Sequence, residues 1–320
     1  MASPERDADL LLAHVLDVGL GRLPLADDLT GPQQEQYAIL VARRAAAARL
    51  HEAGVASPER DADLLLAHVL DVGLGRLPLV EDLTPPQQEA YDALLARRSA
   101  REPLQHLTGS AAFRHVELLV GPGVFVPRPE TELLAGWAIE AAIGAGRAAS
   151  RPPVVVDLCT GSGAIARAVV DEVPQARVHA VELDEEALAW AERNLAGTGV
   201  DLRHGDLATA FDDLLGSVDV VVCNPPYIPL EAWESVAAEA RDHDPHLALF
   251  SGDDGLDAMR ELEQRAALLL RPGGVVGAEH ADVQGESAPA VFAATGRWQD
   301  VADHRDLAGR ARYVTARLAR

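Results

Sequence analysis

The sequence predicts an α/β protein: a mostly parallel sheet with helices on both faces, preceded by a small all-α N-terminal domain and a β-hairpin connector. Three observations carry this prediction. From Val154 onward, short β-branched runs alternate with amphipathic stretches, the pattern of consecutive βα units. The first run ends in a glycine-rich turn, Asp157-Leu158-Cys159-Thr160-Gly161-Ser162-Gly163. A later run, Val220-Val221-Val222-Cys223, stops abruptly in Asn224-Pro225-Pro226-Tyr227. In open α/β sheets, ligands sit at such carboxyl-terminal strand ends.

The N-terminal third is duplicated. Ala2–Leu25 recurs letter for letter at Ala56–Leu79, and Ala26–Arg44 recurs with changes at Val80–Arg98. Two copies are too few for a solenoid; identity decaying along the repeat marks a recent duplication or an unusual start of the reading frame. Each copy reads as helices. Ser3 and Ser57 stand as N-caps, with proline next and acidic residues in the first turn. Leu10, Leu11, His14 and Val15 give an apolar face, and Gly19 is a stop. A second helix is expected from near Thr30 or Thr84, and Val41–Gly54 reads as a further helix linking the copies. His14 and His68 serve packing or surface. The second copy runs directly into the rest of the chain. Residues 1–40 are therefore expected to be an appended partial duplicate, and residues 41–104 the helical domain proper.

Residues 105–127 form the connector, with strands expected at Phe113–Leu119 and Gly123–Val126 around Gly121-Pro122-Gly123. Residues 128–320 form the last domain. A helix is expected at Glu132–Ala145. Strands follow at Val154–Leu158, Val178–Glu182, Val218–Cys223 and Gly274–Glu279, with helices near Ala164–Glu172, Glu185–Leu195 and Leu256–Leu270. Strands near Gln299–Asp303 and Arg312–Ala316 close the sheet.

Composition narrows the function. The net charge is −22, and all 28 basic residues are Arg. Such acidity argues against a phosphate-dominated grip on nucleic acid. Cys159 and Cys223 make no disulfide framework and no metal-ligand spacing, so they read as small buried residues of a reducing cytosol, and no metal is expected. No long uncharged apolar run occurs, and the N-terminus carries Glu5, Arg6, Asp7 and Asp9, so neither a signal peptide nor a membrane span is expected. The protein is expected to be cytoplasmic and monomeric.

The two strand ends carry the chemistry. Consecutive prolines cannot extend a ladder, and the residue before a proline is held extended. Asn224 and the Pro225 backbone thus offer acceptors that converge on one point, beside the ring of Tyr227; this suits a planar –NH2 group. The glycines of the other turn let a ligand approach the backbone, and Glu182 closes the next strand, where an acidic side chain reaches ribose hydroxyls. The turn departs from the three-glycine dinucleotide pattern and has no basic residue nearby, which suits an adenosyl ligand without phosphate.

Asp157–Gly163, Glu182, Gly205-Asp206 and Asn224–Tyr227 resemble the motifs of Rossmann-type, S-adenosylmethionine-dependent methyltransferases. Leu104-Gln-His-Leu-Thr-Gly109, Phe125-Val-Pro-Arg-Pro-Glu-Thr131 and Glu279-His280 narrow the resemblance to the HemK/PrmC family of release factor glutamine methyltransferases. It covers roughly residues 41 to 320. It implies a seven-stranded catalytic domain, S-adenosylmethionine as donor, and as acceptor the glutamine amide nitrogen in the Gly-Gly-Gln motif of class 1 peptide chain release factors. The helical domain is implied to help hold that protein. Cys159, Thr160, Gly161, Ser162 and Gly163 would line the methionine end of the donor, Glu182 would take its ribose, and Leu207, after Asp206, would flank the adenine. Cys159 replaces a usual glycine and Glu182 a common aspartate. Asn224 and Pro225, with Pro226 and Tyr227, would bind and aim the substrate amide, with His280 in a structural hydrogen bond rather than as base. Alternatives with the same chemistry are a ribosomal-protein glutamine methyltransferase and, against the acidity, a nucleic-acid amino-methyltransferase; a silent donor-binding partner protein is the alternative from another class.

Overall fold

The computed structural model describes residues 30–80 and 82–319. The sequence-based expectations for the first copy up to residue 29, including Ser3 and His14, lie outside them. The chain divides into two compact units, Met1–Thr108 and Gly109–Arg320.

In the first unit, α1 (Gly31–Glu52), α2 (Pro58–Leu70), α3 (Pro85–Ser99) and the short α4 (Leu104–Thr108) surround a core that includes Leu50, Leu65, Leu66 and Tyr91. The repeated Thr-x-Pro-Gln sequence starts both α1 and α3. In each, the glutamine reaches back to accept from the threonine amide, Gln33 Oε1 from Thr30 at 3.0 Å and Gln87 Oε1 from Thr84 at 2.9 Å. The two helices expected near Thr30 and at Val41–Gly54 are one. No proline or glycine lies between Pro32 and Gly54, so nothing breaks the helix at the expected boundary at residue 40. Arg98 and Asp61 form a buried ion pair at 2.8 Å between α3 and α2.

The second unit opens with a hairpin, β1 (Ser110–Phe113) and β2 (Val116–Leu119), turning at Arg114-His115. This corrects the expected turn. Arg114 supplies the left-handed residue, and Gly121–Val126 is not a strand. There the Pro122 carbonyl accepts from Trp190 Nε1 at 3.2 Å, and Val124 and Val126 are buried, so side-chain packing rather than a ladder holds the segment.

Helix α5 (Thr131–Ala149) then leads into the sheet: β3 (Val154–Leu158), α6 (Ala164–Glu172), β4 (Arg177–Glu182), α7 (Glu185–Leu195), β5 (Asp201–His204), β6 (Val218–Cys223), α8 (Ala238–His243), α9 (Asp257–Leu269), β7 (Leu270–Glu279), α10 (Ser287–Ala293), β8 (Trp298–Arg305) and β9 (Ala311–Leu318). The seven strands lie in the order β5-β4-β3-β6-β7-β9-β8. The first five are parallel to one another; β9 runs antiparallel to both β7 and β8. Residues of β6 alternate between two cores. Val220 and Val222 pack with α5 and α6, whereas Val221 and Cys223 pack with α9 and α10. Strand β5 and helices α4, α8 and α10 are not among the expected elements. Asp-Leu-Arg-His gives an edge strand little apolar signal.

The chain order reverses between β3 and β6. Leu158 pairs with Cys223 across that junction, so the glycine turn and Asn224–Tyr227 leave the sheet side by side, at its topological switch point.

Candidate active site

A cavity of about 400 Å³ opens at this junction. Its wall includes Cys159, Thr160, Gly161, Ser162, Glu182, Asp206, Leu207, Asn224, Pro226 and Tyr227. Asp157, Gly163 and Pro225 were expected to take part in the site and are not in the wall.

Asp157 acts from behind. Fully buried, it accepts from Thr160 Oγ1 at 2.6 Å and from the Ala166 amide at 3.1 Å, tying the turn to the first residues of α6. Burial pushes its carboxyl up to about 7, against these bonds. The turn runs through left-handed conformations at Cys159 (φ 60°), Gly161 (58°) and Gly163 (84°). Glycine adopts these freely; Cys159 does so at a cost of roughly 1–2 kcal/mol. Asn194 of α7 holds the other side. Its Nδ2 donates to the Ser162 carbonyl at 2.8 Å and to the Leu119 carbonyl at 2.9 Å, and its Oδ1 accepts from the Leu119 amide at 2.8 Å. One buried side chain thus joins hairpin, helix and turn.

Glu182 faces the turn across the β3–β4 junction. Its Oε2 accepts from the Gly161 amide at 2.7 Å, and its Oε1 from the Leu183 and Asp184 amides at 2.9 and 3.0 Å. Burial pushes this carboxyl upward and the backbone donors pull it back. Oε2 retains an acceptor position. An adenosyl group fits this donor set: an acid beside a glycine turn, with Leu183 and Leu207 in the same wall and no arginine or lysine in this part of it.

On the other side stands Asn224. Its Nδ2 donates to Thr131 Oγ1 over a long 3.4 Å, and that hydroxyl donates to Glu279 Oε2 at 2.7 Å. The Tyr227 hydroxyl donates to the second oxygen, Oε1, at 3.1 Å. Glu279 is buried and pushed up to about 7 by that burial, which the Thr131 and Tyr227 bonds and Arg312 oppose. Burial, then the Glu279 charge, raises the Tyr227 phenol, which stays protonated.

The segment after Tyr227 closes the cavity. Ile228 and Phe250 form a parallel bridge, and Leu247, Ala248 and Leu249 join the wall. Arg128 donates to the buried Asp244 at 2.6 Å and lies 4.8 Å over the Phe125 ring, clipping this segment to the connector. Phe125, Arg128 and Thr131 occur in the motif that carried the resemblance, but nothing in their spacing assigned them chemistry. His280 lies outside the wall. Its Nδ1 is 2.9 Å from the Ala281 carbonyl and its Nε2 3.1 Å from Asp303, and burial lowers its pKa.

A seven-stranded sheet of this order, with a glycine turn, a strand-end acid and Asn-Pro-Pro-Tyr around one cavity, defines a Rossmann-type methyltransferase. Residues 155–243 match a methyltransferase domain family, and the PrmC N-terminal domain family matches twice, at residues 1–47 and 42–109. A release factor glutamine methyltransferase of Streptomyces coelicolor is 59% identical over 85% of this chain and 95% of its own. One of Mycolicibacterium smegmatis is 48% identical over 86% of this chain and 96% of its own. The chain belongs to the release factor glutamine methyltransferase family. A 4-amino-L-phenylalanine/4-methylamino-L-phenylalanine methyltransferase of Streptomyces pristinaespiralis is also similar, 43% identical over 79% of this chain and 86% of its own.

Proposed function

We propose that this protein transfers a methyl group from S-adenosylmethionine to the side-chain amide nitrogen of the glutamine in the Gly-Gly-Gln motif of class 1 peptide chain release factors. The observation that carries the reading is the Asn224 carboxamide. One N–H of its NH2 is donated to Thr131, which leaves Oδ1 as an acceptor, and the residue is in the wall of the cavity it shares with the glycine turn.

The donor supplies an electrophilic methyl on a sulfonium. Cys159, Thr160, Gly161 and Ser162 line its methionine end, Glu182 takes the ribose, and Leu207 flanks the adenine beyond Asp206. A carboxamide nitrogen is a poor nucleophile, because its lone pair is delocalised, so the protein's contribution is chiefly positioning; as the N–CH3 bond forms the S–CH3 bond breaks, the sulfonium leaves as a neutral thioether, and the nitrogen gives up one proton, which passes to solvent. Asn224 Oδ1 accepts one N–H of the substrate amide; the second acceptor, which the family motif gives to the Pro225 carbonyl, lies outside the cavity wall. Pro226 and the Tyr227 ring flank the amide plane and exclude water. Alignment of this kind is worth up to about 7–11 kcal/mol.

The test is incubation with labelled donor and, separately, a class 1 release factor, ribosomal protein, an oligonucleotide and free 4-amino-L-phenylalanine. Label in the release factor alone, lost when its glutamine is replaced, is expected. Label in any other acceptor and none in the release factor overturns the assignment.

A further inference from the structure

Thr131 and Glu279, 148 residues apart in sequence, meet behind Asn224. A threonine hydroxyl has one proton to give. Here it goes to Glu279 Oε2, so towards Asn224 the same oxygen can only accept, and it does so from Nδ2. We infer that Thr131 and Glu279 are positioning residues that fix which way round the Asn224 carboxamide faces its substrate, and that they do so only while Glu279 is ionised. The inference rests on the amide-methylation reading above.

An ionised carboxylate only accepts, so it draws the Thr131 proton to one oxygen and the Tyr227 proton to the other. A protonated Glu279 can donate to Thr131 instead. The Thr131 hydrogen is then released to Asn224, and the carboxamide turns over to offer it Oδ1. In that state NH2 faces the cavity, and a substrate amide meets a donor where it needs an acceptor. The other charges facing Glu279 are Arg312, which favours the carboxylate and is shared with Asp306 at 3.2 Å, and Glu130, which disfavours it. His280, next along the chain, is directed at Ala281 and Asp303. Burial brings Glu279 to about 7, so the change falls within ordinary assay conditions, and methyl transfer is expected to decline as pH falls through that value.

The test compares Thr131→Val, Thr131→Ser and Glu279→Gln with the wild type, reading single-turnover rate, donor affinity and the pH profile. Thr131→Val and Glu279→Gln should slow transfer about 10- to 100-fold, the size of one lost or opposed hydrogen bond, with donor affinity unchanged. Thr131→Ser should restore the rate, and Glu279→Gln should abolish the acidic limb. Equal losses in the valine and serine variants, or an acidic limb that survives Glu279→Gln, overturn the inference while leaving the substrate reading intact. A readout without substrate separates the two. The side-chain amide signals of Asn224 in ¹H–¹⁵N spectra should shift with pH through the Glu279 ionisation in the wild type and stay fixed in Glu279→Gln. Signals indifferent to pH in the wild type overturn the inference even where no release factor is methylated, a result that would sink the substrate assignment by itself.

Discussion

Asn224 and Glu182 each serve two masters, and their substitution should separate the two halves of the cavity. Asn224→Ala removes the proposed acceptor and would leave a substrate N–H facing an apolar wall. An unpaired donor costs about 1–3 kcal/mol, and misaimed attack adds to it, so turnover should fall at least ~100-fold while donor affinity changes much less. Single-turnover methylation with donor binding measured separately checks this, and near-normal methylation would remove Asn224 from the mechanism. Asn224→Asp keeps an acceptor of similar shape and should be milder. Glu182→Ala should do the reverse, weakening the donor by about 1–3 kcal/mol in calorimetry. It strips an acceptor from the Gly161 amide as well as the acceptor proposed for the ribose, so Glu182→Gln, which keeps one oxygen, should lose less.

At the scale of elements, the buried Asn194 is a single point of failure. It bonds β2 and the glycine turn from α7, and Asn194→Ala takes this partner from the Leu119 amide and carbonyl and from the buried Ser162 carbonyl. A loss of about 1–3 kcal/mol in denaturant-derived stability is expected, together with weaker donor binding; unchanged stability would show that water replaces all its bonds. The same scale shows what could be read from the sequence. Strands β3 and β6 and helices α6 and α7 fall where expected, because Pro153, Gly163, Pro174 and Asn224-Pro225 punctuate unbroken apolar or amphipathic runs. The hairpin was misplaced because Gly-Pro-Gly is the louder turn signal, while the real turn takes its positive φ from Arg114. Asn224, Glu182 and the glycine turn were legible because each lies at the end of its own strand. The Thr131–Glu279 bond was not, since it depends on how the start of α5 packs against the end of β7. Local pattern carries no information about that meeting.

At the scale of the whole chain, the duplication does not end where identity ends. The later part of the first copy supplies the opening turns of α1, and Ile39, 5% exposed, is in the core. A chain that begins at Thr30 should keep its stability and methyl transfer. One that begins at Ala42 loses Ile39 and the Gln33 cap, which should cost roughly 2–4 kcal/mol and lower the melting temperature. Equal stability of the two would mean that α1 contributes only from residue 42 onward. Outright unfolding of the chain that begins at Thr30 would mean that the preceding residues are integral to the domain.

The residue that departs from glycine in the turn also gives the protein a built-in gauge. The chain has two thiols and no lysine. Cys223 is wholly buried, whereas Cys159 is partly exposed in the cavity wall. A maleimide dye should therefore mark one position, and an adenosyl ligand seated there should shield it. The alkylation rate then becomes a titration of occupancy that needs neither radiolabel nor acceptor protein.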